Sequence, residues 1–328
     1  MADAVGAPPA RAAVVGCGVI GAAWAARMRL RGVEVSVFDP SPSAADILDA
    51  VTADALAAWN DLGLRTDRLG TLTTCESIAH AVERADVVQE SVPERLDLKH
   101  ATLAEIDRAA PTEALVASST SGFKPSDLAT VMGHPGRLVV AHPFNPVYLL
   151  PLVEVVGGQH TSLGTIDRAM ATYRSLGMHP LHVRIEIDAF IADRLLEAVW
   201  REALWLVNDG IATTAEIDDA IRYGFGLRWA QMGMFETYRI AGGDGGMRHF
   251  MAQFGPALQW PWTKLMDTPD LTDELIDRIA EQSDEQAAGR SIRDLARERD
   301  RNLVAILKAL ESVDAGAGQT LAALRAAP

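Results

Sequence analysis

A glycine-rich turn between an apolar strand and a helix constrains the fold of this chain more than any other feature. A short apolar strand is followed by Gly16, Gly18 and Gly21 in G-x-G-x-x-G spacing, and then by a helix of small residues. The first glycine permits a tight turn, the second lets a pyrophosphate approach the backbone, and the third lets the helix pack on the strand. The pattern predicts a dinucleotide-binding unit, with phosphates held at the helix N-terminus near Val19 and Ile20.

The type of dinucleotide follows from the residue that ends the next strand. The run from Val33 to Phe38 predicts that strand, and Asp39 follows it, 18 residues after Gly21. A carboxylate at this position accepts hydrogen bonds from ribose hydroxyls but repels a 2′-phosphate. The sequence therefore predicts NAD rather than NADP. The alternative is a glycine-rich turn in some other α/β protein.

A histidine and a glutamate stand in neighbouring apolar runs between residues 137 and 158. The apolar run from Leu138 to Ala141 predicts a buried strand with His142 at its end. The run from Leu152 to Val156 predicts a second strand with Glu154 in its middle. A buried carboxylate needs a partner, and an imidazole held by a carboxylate is suited to act as a general base near neutral pH. The alternative is a core histidine and an edge-strand glutamate without a catalytic role.

Polar residues also follow two other predicted strands. Ala85 to Gln89 runs into Glu90, Pro93 and Glu94, and Ala114 to Ser118 runs into further hydroxyl residues. Ligands of open α/β sheets bind at the carboxyl ends of the strands, so these residues are candidates for binding. They are equally compatible with a solvated helix start and with hydroxyl side chains that stabilise turns.

The alternation of strands and helices predicts a Rossmann-like, doubly wound, mostly parallel sheet, followed by an all-helical C-terminal domain. We expect a flexible lead-in at residues 1–10, an NAD-binding domain at 11–187 and a helical substrate and dimerisation domain at 188–328. Helices are predicted at 191–210, 231–240, 245–255, 272–287 and 290–312, and a further one begins at Thr213.

Charge and cysteine content limit the possible partners. The net charge of −14 argues against nucleic acid and against anionic membranes, and no apolar run reaches the roughly 18 residues that span a bilayer. Cys17 and Cys75 are too few for a disulfide framework, and residues 1–10 lack the features of a signal peptide. We expect a cytoplasmic protein with a small-molecule substrate and no metal.

With these residues in view, the chain resembles the 3-hydroxyacyl-CoA dehydrogenase superfamily over nearly its whole length. The segment HPFNPVYLLPLVEVV is similar to the superfamily's signature around its catalytic histidine and glutamate. The resemblance implies that His142 is the base, that Glu154 orients it, and that Ser121 and Asn145 hold the reacting oxygen. It also implies that the nicotinamide nucleotide contacts Glu94, Lys99 and Ser119.

Two departures from that superfamily bear on the substrate. Asp193 stands where its members usually have an asparagine near the substrate, and Ser119 stands where asparagine is also common. The second half of the chain is similar to the branch of the superfamily that oxidises L-carnitine. The resemblance therefore implies L-carnitine as the substrate and a homodimer as the assembly.

A quaternary ammonium has no N–H to donate and is best held by aromatic faces. An anionic residue at position 193 also suits a cationic substrate. Aromatic residues are candidates for such a cage, although tryptophans in helices commonly fill cores. The candidates for contact with the substrate are Asp193, Phe123, Tyr148, Trp229, Trp260 and Trp262.

Two other functions fit the same residues. One is a dehydrogenase for another 3-hydroxy acid, either a 3-hydroxyacyl-CoA ester or a sugar acid such as L-gulonate. The other is a non-catalytic NAD-binding or structural protein, and the presence of the four predicted catalytic residues argues against it.

Overall fold

The computed structural model of the chain contains an eight-stranded sheet in its N-terminal part. The structure describes residues 6–66, 68–242, 244, 246–254, 263, 270, 272–275, 277–278, 282 and 288–327. The strands are β1 Arg11–Val15, β2 Glu34–Phe38, β3 Leu72–Thr74, β4 Val87–Glu90, β5 Leu115–Ser118, β6 Leu138–Pro143, β7 Leu152–Gly157 and β8 His179–Val183. Their order is β3-β2-β1-β4-β5-β6-β7-β8, and neighbours are parallel except for β6 and β7. The predicted Rossmann-like sheet is confirmed.

Helices cover both faces of this sheet. Adjacent strand residues such as Val14 and Val15 belong to two different buried clusters, because successive side chains of a strand point to opposite faces. A parallel sheet needs this double cover, since its strands are apolar on both sides. The helices that connect the strands are α1 Val19–Leu30, α2 Ala44–Asp61, α3 Ile78–Val82, α4 Leu96–Ala109, α5 Pro125–Leu128 and α6 Leu163–Ser175.

The strand that carries His142 is longer than predicted. It was expected to end at Ala141, but β6 continues to Pro143. Antiparallel pairing with β7 places His142 opposite Glu154 and Pro143 opposite Val153, so both residues belong to the ladder. His142 therefore sits on a rigid strand, where its backbone is held on one side by β7.

The contacts of the chain define two units. The first unit consists of the chain up to Ile191, Asp300–Glu311 and the segment from Ala317 onward. The second unit consists of Ala192–Arg299 and Ser312–Gly316. This division differs from the predicted one, which assigned everything after residue 187 to a single helical domain. The reason is packing, because Leu307, Leu321 and Leu324 belong to the buried cluster around the sheet.

The described part of the chain after Ile191 is mainly helical, as predicted. Thr213 caps its helix as expected, with its side chain bound to the backbone N–H of Glu216 and the Glu216 carboxylate bound to the backbone N–H of Thr213. Most of the helix predicted at 272–287 lies outside the described residues. The described helices are α7 Ala192–Asn208, α8 Thr214–Ala220, α9 Gly226–Ala241, α10 Gly246–Phe254, α11 Ile292–Ser312 and α12 Ala317–Ala326. None of the helices described here has the length and apolarity needed to cross a membrane.

Candidate active site

A cavity of about 750 Å³ lies at the carboxyl edge of the sheet, within the first unit. Its lining includes residues at the carboxyl ends of β1, β2, β4, β5 and β6, which is where open α/β sheets bind ligands. Residues that are far apart in the sequence thus line one cavity. The predicted site residues that line it are Gly16, Gly18, Val19, Ile20, Asp39, Glu94, Lys99, Ser119, Ser121 and His142.

The geometry of the glycine turn fits a dinucleotide. Gly16 has a φ of +95°, which only glycine adopts readily. A Cβ on Gly21 would lie 1.8 Å from the carbonyl oxygen of Gly16, so the close packing of helix on turn excludes any side chain. At Gly18, by contrast, a Cβ would meet nothing within 4 Å. Gly18 is also the N-cap of α1 without a side-chain cap, so the first N–H groups of the helix remain for an anion.

Asp39 is held in place at the end of β2. Its Oδ2 accepts a hydrogen bond from the Cys17 N–H at 2.6 Å, and its Oδ1 accepts one from the Ser41 N–H at 2.7 Å. Each carboxylate oxygen has further acceptor capacity, so the group can still receive hydrogen bonds from ribose hydroxyls. The acid thus joins the glycine turn to the predicted ribose site.

Ser119 belongs to a polar network that the sequence reasoning missed. Its Oγ accepts hydrogen bonds from Trp24 Nε1 at 3.2 Å and Gln89 Nε2 at 2.7 Å, and lies 2.8 Å from Ser91 Oγ. Gln89 Oε1 in turn accepts from the Tyr173 hydroxyl at 2.8 Å. These contacts fix Ser119 at the cavity wall. Its predicted contact with the cofactor stays a prediction.

His142 and Glu154 form a buried pair beside the cavity. The distance from Nδ1 of His142 to Oε2 of Glu154 is 3.0 Å, and the two side chains are 8% and 0% exposed. A carboxylate only accepts, so the neutral imidazole paired with it carries its proton on Nδ1 and its basic lone pair on Nε2. This is the tautomer that a general base requires.

The surroundings of the pair restrict both side chains. The ring of His142 packs against Phe144 and Phe190, with ring centroids 5.0 and 5.8 Å away. Glu154 Oε1 accepts a further hydrogen bond from the Ile191 N–H at 3.0 Å. Phe190 has a φ of +51°, unusual for a bulky residue, and its side chain is fully buried. These contacts were not predictable from the sequence, where Phe190 and Ile191 stand out only as apolar residues.

Glu94 organises the loop that carries Ser121. Its Oε1 accepts hydrogen bonds from the Ser121 and Gly122 N–H groups, both at 3.2 Å, and from the Thr120 hydroxyl. Three donors converge on one oxygen, so the position of the Ser121 backbone depends on this carboxylate. Glu94 therefore acts on the loop as well as bordering the cavity.

Lys99 lines the cavity but is almost completely buried among acidic and backbone partners. Its Nζ lies 3.0 Å from Glu90 Oε1, 3.2 Å from the Val92 carbonyl oxygen and 3.3 Å from Glu94 Oε2. Its side chain is 1% exposed, and the three contacts match the three donors of an ammonium group. Burial raises the pKa of Glu90, while the Lys99 charge and the Ser118 hydroxyl act in the opposite direction. Lys99 thus joins two acidic side chains, and its predicted contact with the nucleotide stays a prediction.

Besides Gly21 and Glu154, three predicted residues of the first unit are not among the residues that line this cavity. Asn145 is exposed in the loop after β6, and Phe123 is half-buried against one core cluster. Tyr148 is 6% exposed, and its hydroxyl donates to Asp300 Oδ2 at 2.5 Å. These contacts hold the Tyr148 side chain in the core, and its predicted place in an aromatic cage stays a prediction.

The other predicted substrate residues belong to the second unit or lie outside the described part of the chain. Asp193 is in the first turn of α7. Trp229 is in α9, 38% exposed, with its ring 4.5 Å from that of Phe225. Trp260 and Trp262 lie outside the described residues. Their contact with a substrate stays a prediction.

Two family models match consecutive parts of the chain. Residues 11–186 match the NAD binding domain of 3-hydroxyacyl-CoA dehydrogenase, and residues 190–280 match the C-terminal domain of the same family. Together the two models account for most of the sequence. Their junction lies close to the boundary predicted at residues 187 and 188.

Curated relatives and a solved structure are also similar to the chain. It is 59% identical over 318 residues to an L-carnitine dehydrogenase of Mesorhizobium japonicum, covering 96% of this chain and 87% of the relative. It is 60% identical over 313 residues to an L-carnitine dehydrogenase/betainyl-CoA thioesterase of Agrobacterium fabrum, covering 95% of this chain but only 64% of the relative. The crystal structure of FHMPC 5-dehydrogenase, an NAD+ dependent dismutase, superposes with a TM-score of 0.77 at 27% identity, covering 92% of this chain and 98% of that one.

Proposed function

The chain belongs to the 3-hydroxyacyl-CoA dehydrogenase family, and on that premise we propose that it oxidises the 3-hydroxyl of L-carnitine to 3-dehydrocarnitine with NAD. The activity of its curated relatives supports this substrate. The observation that carries the proposal is the buried His142–Glu154 pair, which borders the same cavity as the glycine turn.

The cofactor site is assigned to the residues at the carboxyl edge of β1 and β2. The N–H groups at the start of α1 and the open space at Gly18 suit a pyrophosphate, and the Asp39 carboxylate suits a ribose. NAD bound there supplies the acceptor for the hydride that leaves C3. The protein contributes the binding groups and a wall of fixed polar side chains around Ser119.

His142 is assigned the role of general base. Its Nε2 accepts the proton of the substrate hydroxyl as the C–H bond at C3 breaks, and the charge of Glu154 stabilises the imidazolium that forms. The Ile191 N–H keeps the Glu154 carboxylate aligned. Ser121, held by Glu94, donates to the reacting oxygen, and Asn145 is assigned the same task on family resemblance.

The trimethylammonium group of carnitine is assigned to the second half of the chain. A cation without N–H groups is bound best by aromatic faces and by a nearby carboxylate. Trp229, Trp260, Trp262 and Asp193 supply these chemistries, and Phe123 remains a candidate from the first unit. Tyr148 is the weakest of the predicted aromatic contacts, because its side chain is buried in the core and its hydroxyl is bound to Asp300.

Assembly and location are further parts of the proposal. We assign a homodimer from family resemblance, which light scattering coupled to gel filtration tests by distinguishing the mass of one chain from that of two. A cytoplasmic location is supported by two free cysteines, one of them buried in the glycine turn.

The experiment that tests the function is a comparison of substrates by NADH absorbance. NAD is supplied with L-carnitine, D-carnitine, L-3-hydroxybutyrate, L-gulonate or 3-hydroxybutyryl-CoA. We expect turnover of L-carnitine well above that of the others, and none with His142→Ala. Preferred turnover of an acid that lacks the quaternary ammonium, or of the CoA ester, would overturn the substrate assignment while leaving the dehydrogenase chemistry in place. Lack of turnover with every compound would overturn the function.

A further inference from the structure

A second cavity in the first unit is lined by arginines. It has a volume of about 310 Å³ and lies where α1 ends and β2 begins, beside the loop that leads to β3. Arg31, Arg65, Arg68 and Arg325 line it, and no aspartate or glutamate is among the described residues of its lining; Asp67 lies outside the described residues. It shares no lining residue with the cavity at the carboxyl edge of the sheet.

Two arginines at this end of α1, one buried and one half-buried, have no carboxylate partner among the residues that the structure describes. Arg27 is fully buried and donates to the carbonyl oxygens of Val147, Leu176 and Gly177. Arg31, one turn later, donates through Nε to the Ser175 carbonyl oxygen at 3.1 Å. Burial lowers the pKa of the Arg31 guanidinium. Carbonyl dipoles only partly replace the solvation that these cations lose, so the local potential favours an anion.

Helix capping explains part of this arrangement but not all of it. Cations are favourable at helix C-termini, and Arg325 donates to the carbonyl oxygens of Leu62 and Gly63 just after α2 while pairing with Glu311. Arg68 does not cap a helix. Its guanidinium makes no hydrogen bond or ion pair with any residue that the structure describes, yet it lines the cavity.

The remaining walls are apolar. Leu30, Leu64 and Leu69 line the cavity together with Trp59, whose Nε1 is already bound to the Tyr148 carbonyl oxygen at 2.8 Å. A ligand for this site would carry an anionic group that binds the guanidinium groups and an apolar part that packs against the leucine side chains. The chain as a whole carries a charge of −14, so attraction of an anion must come from this local cluster.

We propose that this cavity is a binding site for a small metabolite that carries a phosphate or carboxylate group on an apolar body. Guanidinium groups bind both anions through paired N–H donors, which a lysine cannot reproduce. The site is separate from the residues proposed for the dehydrogenase reaction. A failure to bind an anion here would therefore leave the proposed function unaffected.

The test is calorimetric titration of the full chain with inorganic pyrophosphate and with citrate, at constant ionic strength. Saturating NAD is present, so that the phosphate site at the glycine turn is occupied. We expect saturable binding of at least one probe, weakened about tenfold or more in Arg68→Ala and unchanged in the control Arg108→Ala. Tighter binding of pyrophosphate would assign a phosphate ligand, and tighter binding of citrate a carboxylate.

A second variant and a measurement of thermal stability distinguish a loss of binding from a loss of folding. Arg65→Ala changes another exposed side chain of the cavity and should also weaken the probe, with the melting temperature confirming that each variant is folded. Absence of saturable binding for both probes would overturn the proposal. Equal affinity in the wild type, Arg68→Ala and Arg65→Ala would overturn it as well, because the probe would then bind elsewhere.

Discussion

His142 and Glu154 face each other directly across the antiparallel pair of strands in the sheet, with Nδ1 and Oε2 3.0 Å apart. Residues opposite one another in such a ladder project to the same face, so their side chains meet without any adjustment of the loop between the strands. A shift of one residue in register would send one of the two side chains to the other face. The chemistry of the pair thus depends on strand pairing over the whole of β6 and β7.

Replacing the base tests its assignment. His142→Ala should lower kcat by about 10² to 10⁴, since that is the usual contribution of a general base, while the dissociation constant for NAD stays close to the wild-type value. Steady-state rates and NAD titration measure the two quantities. His160→Ala is the control, because this histidine is exposed on the surface. A variant with full activity would exclude His142 as the base.

The same substitution at two glycines should have different effects. Gly21→Ala places a methyl group 1.8 Å from a backbone oxygen, so we expect a loss of stability of about 1–3 kcal/mol or more. Gly18→Ala meets no protein atom and has an ordinary φ of −69°, so the fold should be unchanged while NAD binding weakens. Thermal unfolding and NAD titration separate the two outcomes. Normal NAD binding in a folded Gly18→Ala variant would contradict the phosphate site.

Lys99 should matter for stability more than for direct contact with the cofactor. Lys99→Met leaves the fully buried Glu90 without its cation, which typically costs about 3–5 kcal/mol. Adding Glu90→Gln removes the unpaired charge and should recover much of that loss. Urea unfolding of both variants measures the difference. If Lys99→Met is as stable as the wild type and only NAD binding falls, the nucleotide contact implied by family resemblance would be correct.

Cys17 should react slowly with thiol reagents despite its place in the cofactor turn. Burial, reinforced by the Asp39 charge, raises its pKa to about 11, so the reactive thiolate is scarce near neutral pH and increases until the pH approaches that value. Alkylation by iodoacetamide, followed by peptide mass spectrometry, should show a rate that rises about tenfold per pH unit over this range. In urea the same cysteine should react as an ordinary thiol. Rapid modification of the native protein at pH 7 would contradict the prediction.

Local sequence patterns were enough to predict the parts of the site that depend on short segments. The glycine turn, Asp39 and the strand around Glu154 are each encoded within a few residues, and the structure brings the first two together with His142 at one cavity. The capping of its helix by Thr213, with Glu216 as the second residue of the capping box, was predictable for the same reason, since both residues lie within one helical turn.

Contacts over long sequence distances were not predictable in this way. A hydrophobic pattern could not show that Tyr148 would bond to Asp300, 152 residues later, and so belong to the core. Lys99 presents a similar problem, because a lysine in the first turn of a helix is usually exposed and only the fold reveals its buried partners. The helix Ala317–Ala326 was missed because its alanines and glycine give a weak apolar pattern.

That last helix has a consequence for how the protein is made. The unit built around the sheet includes the strands that are translated first, yet Leu321 and Leu324 of its core are translated only after the stretch Ala192–Arg299 of the second unit. The core of the first unit therefore stays incomplete while most residues of the second unit are released. A nascent chain of this protein would expose apolar surface around Trp59 until Leu321 and Leu324 have left the ribosome.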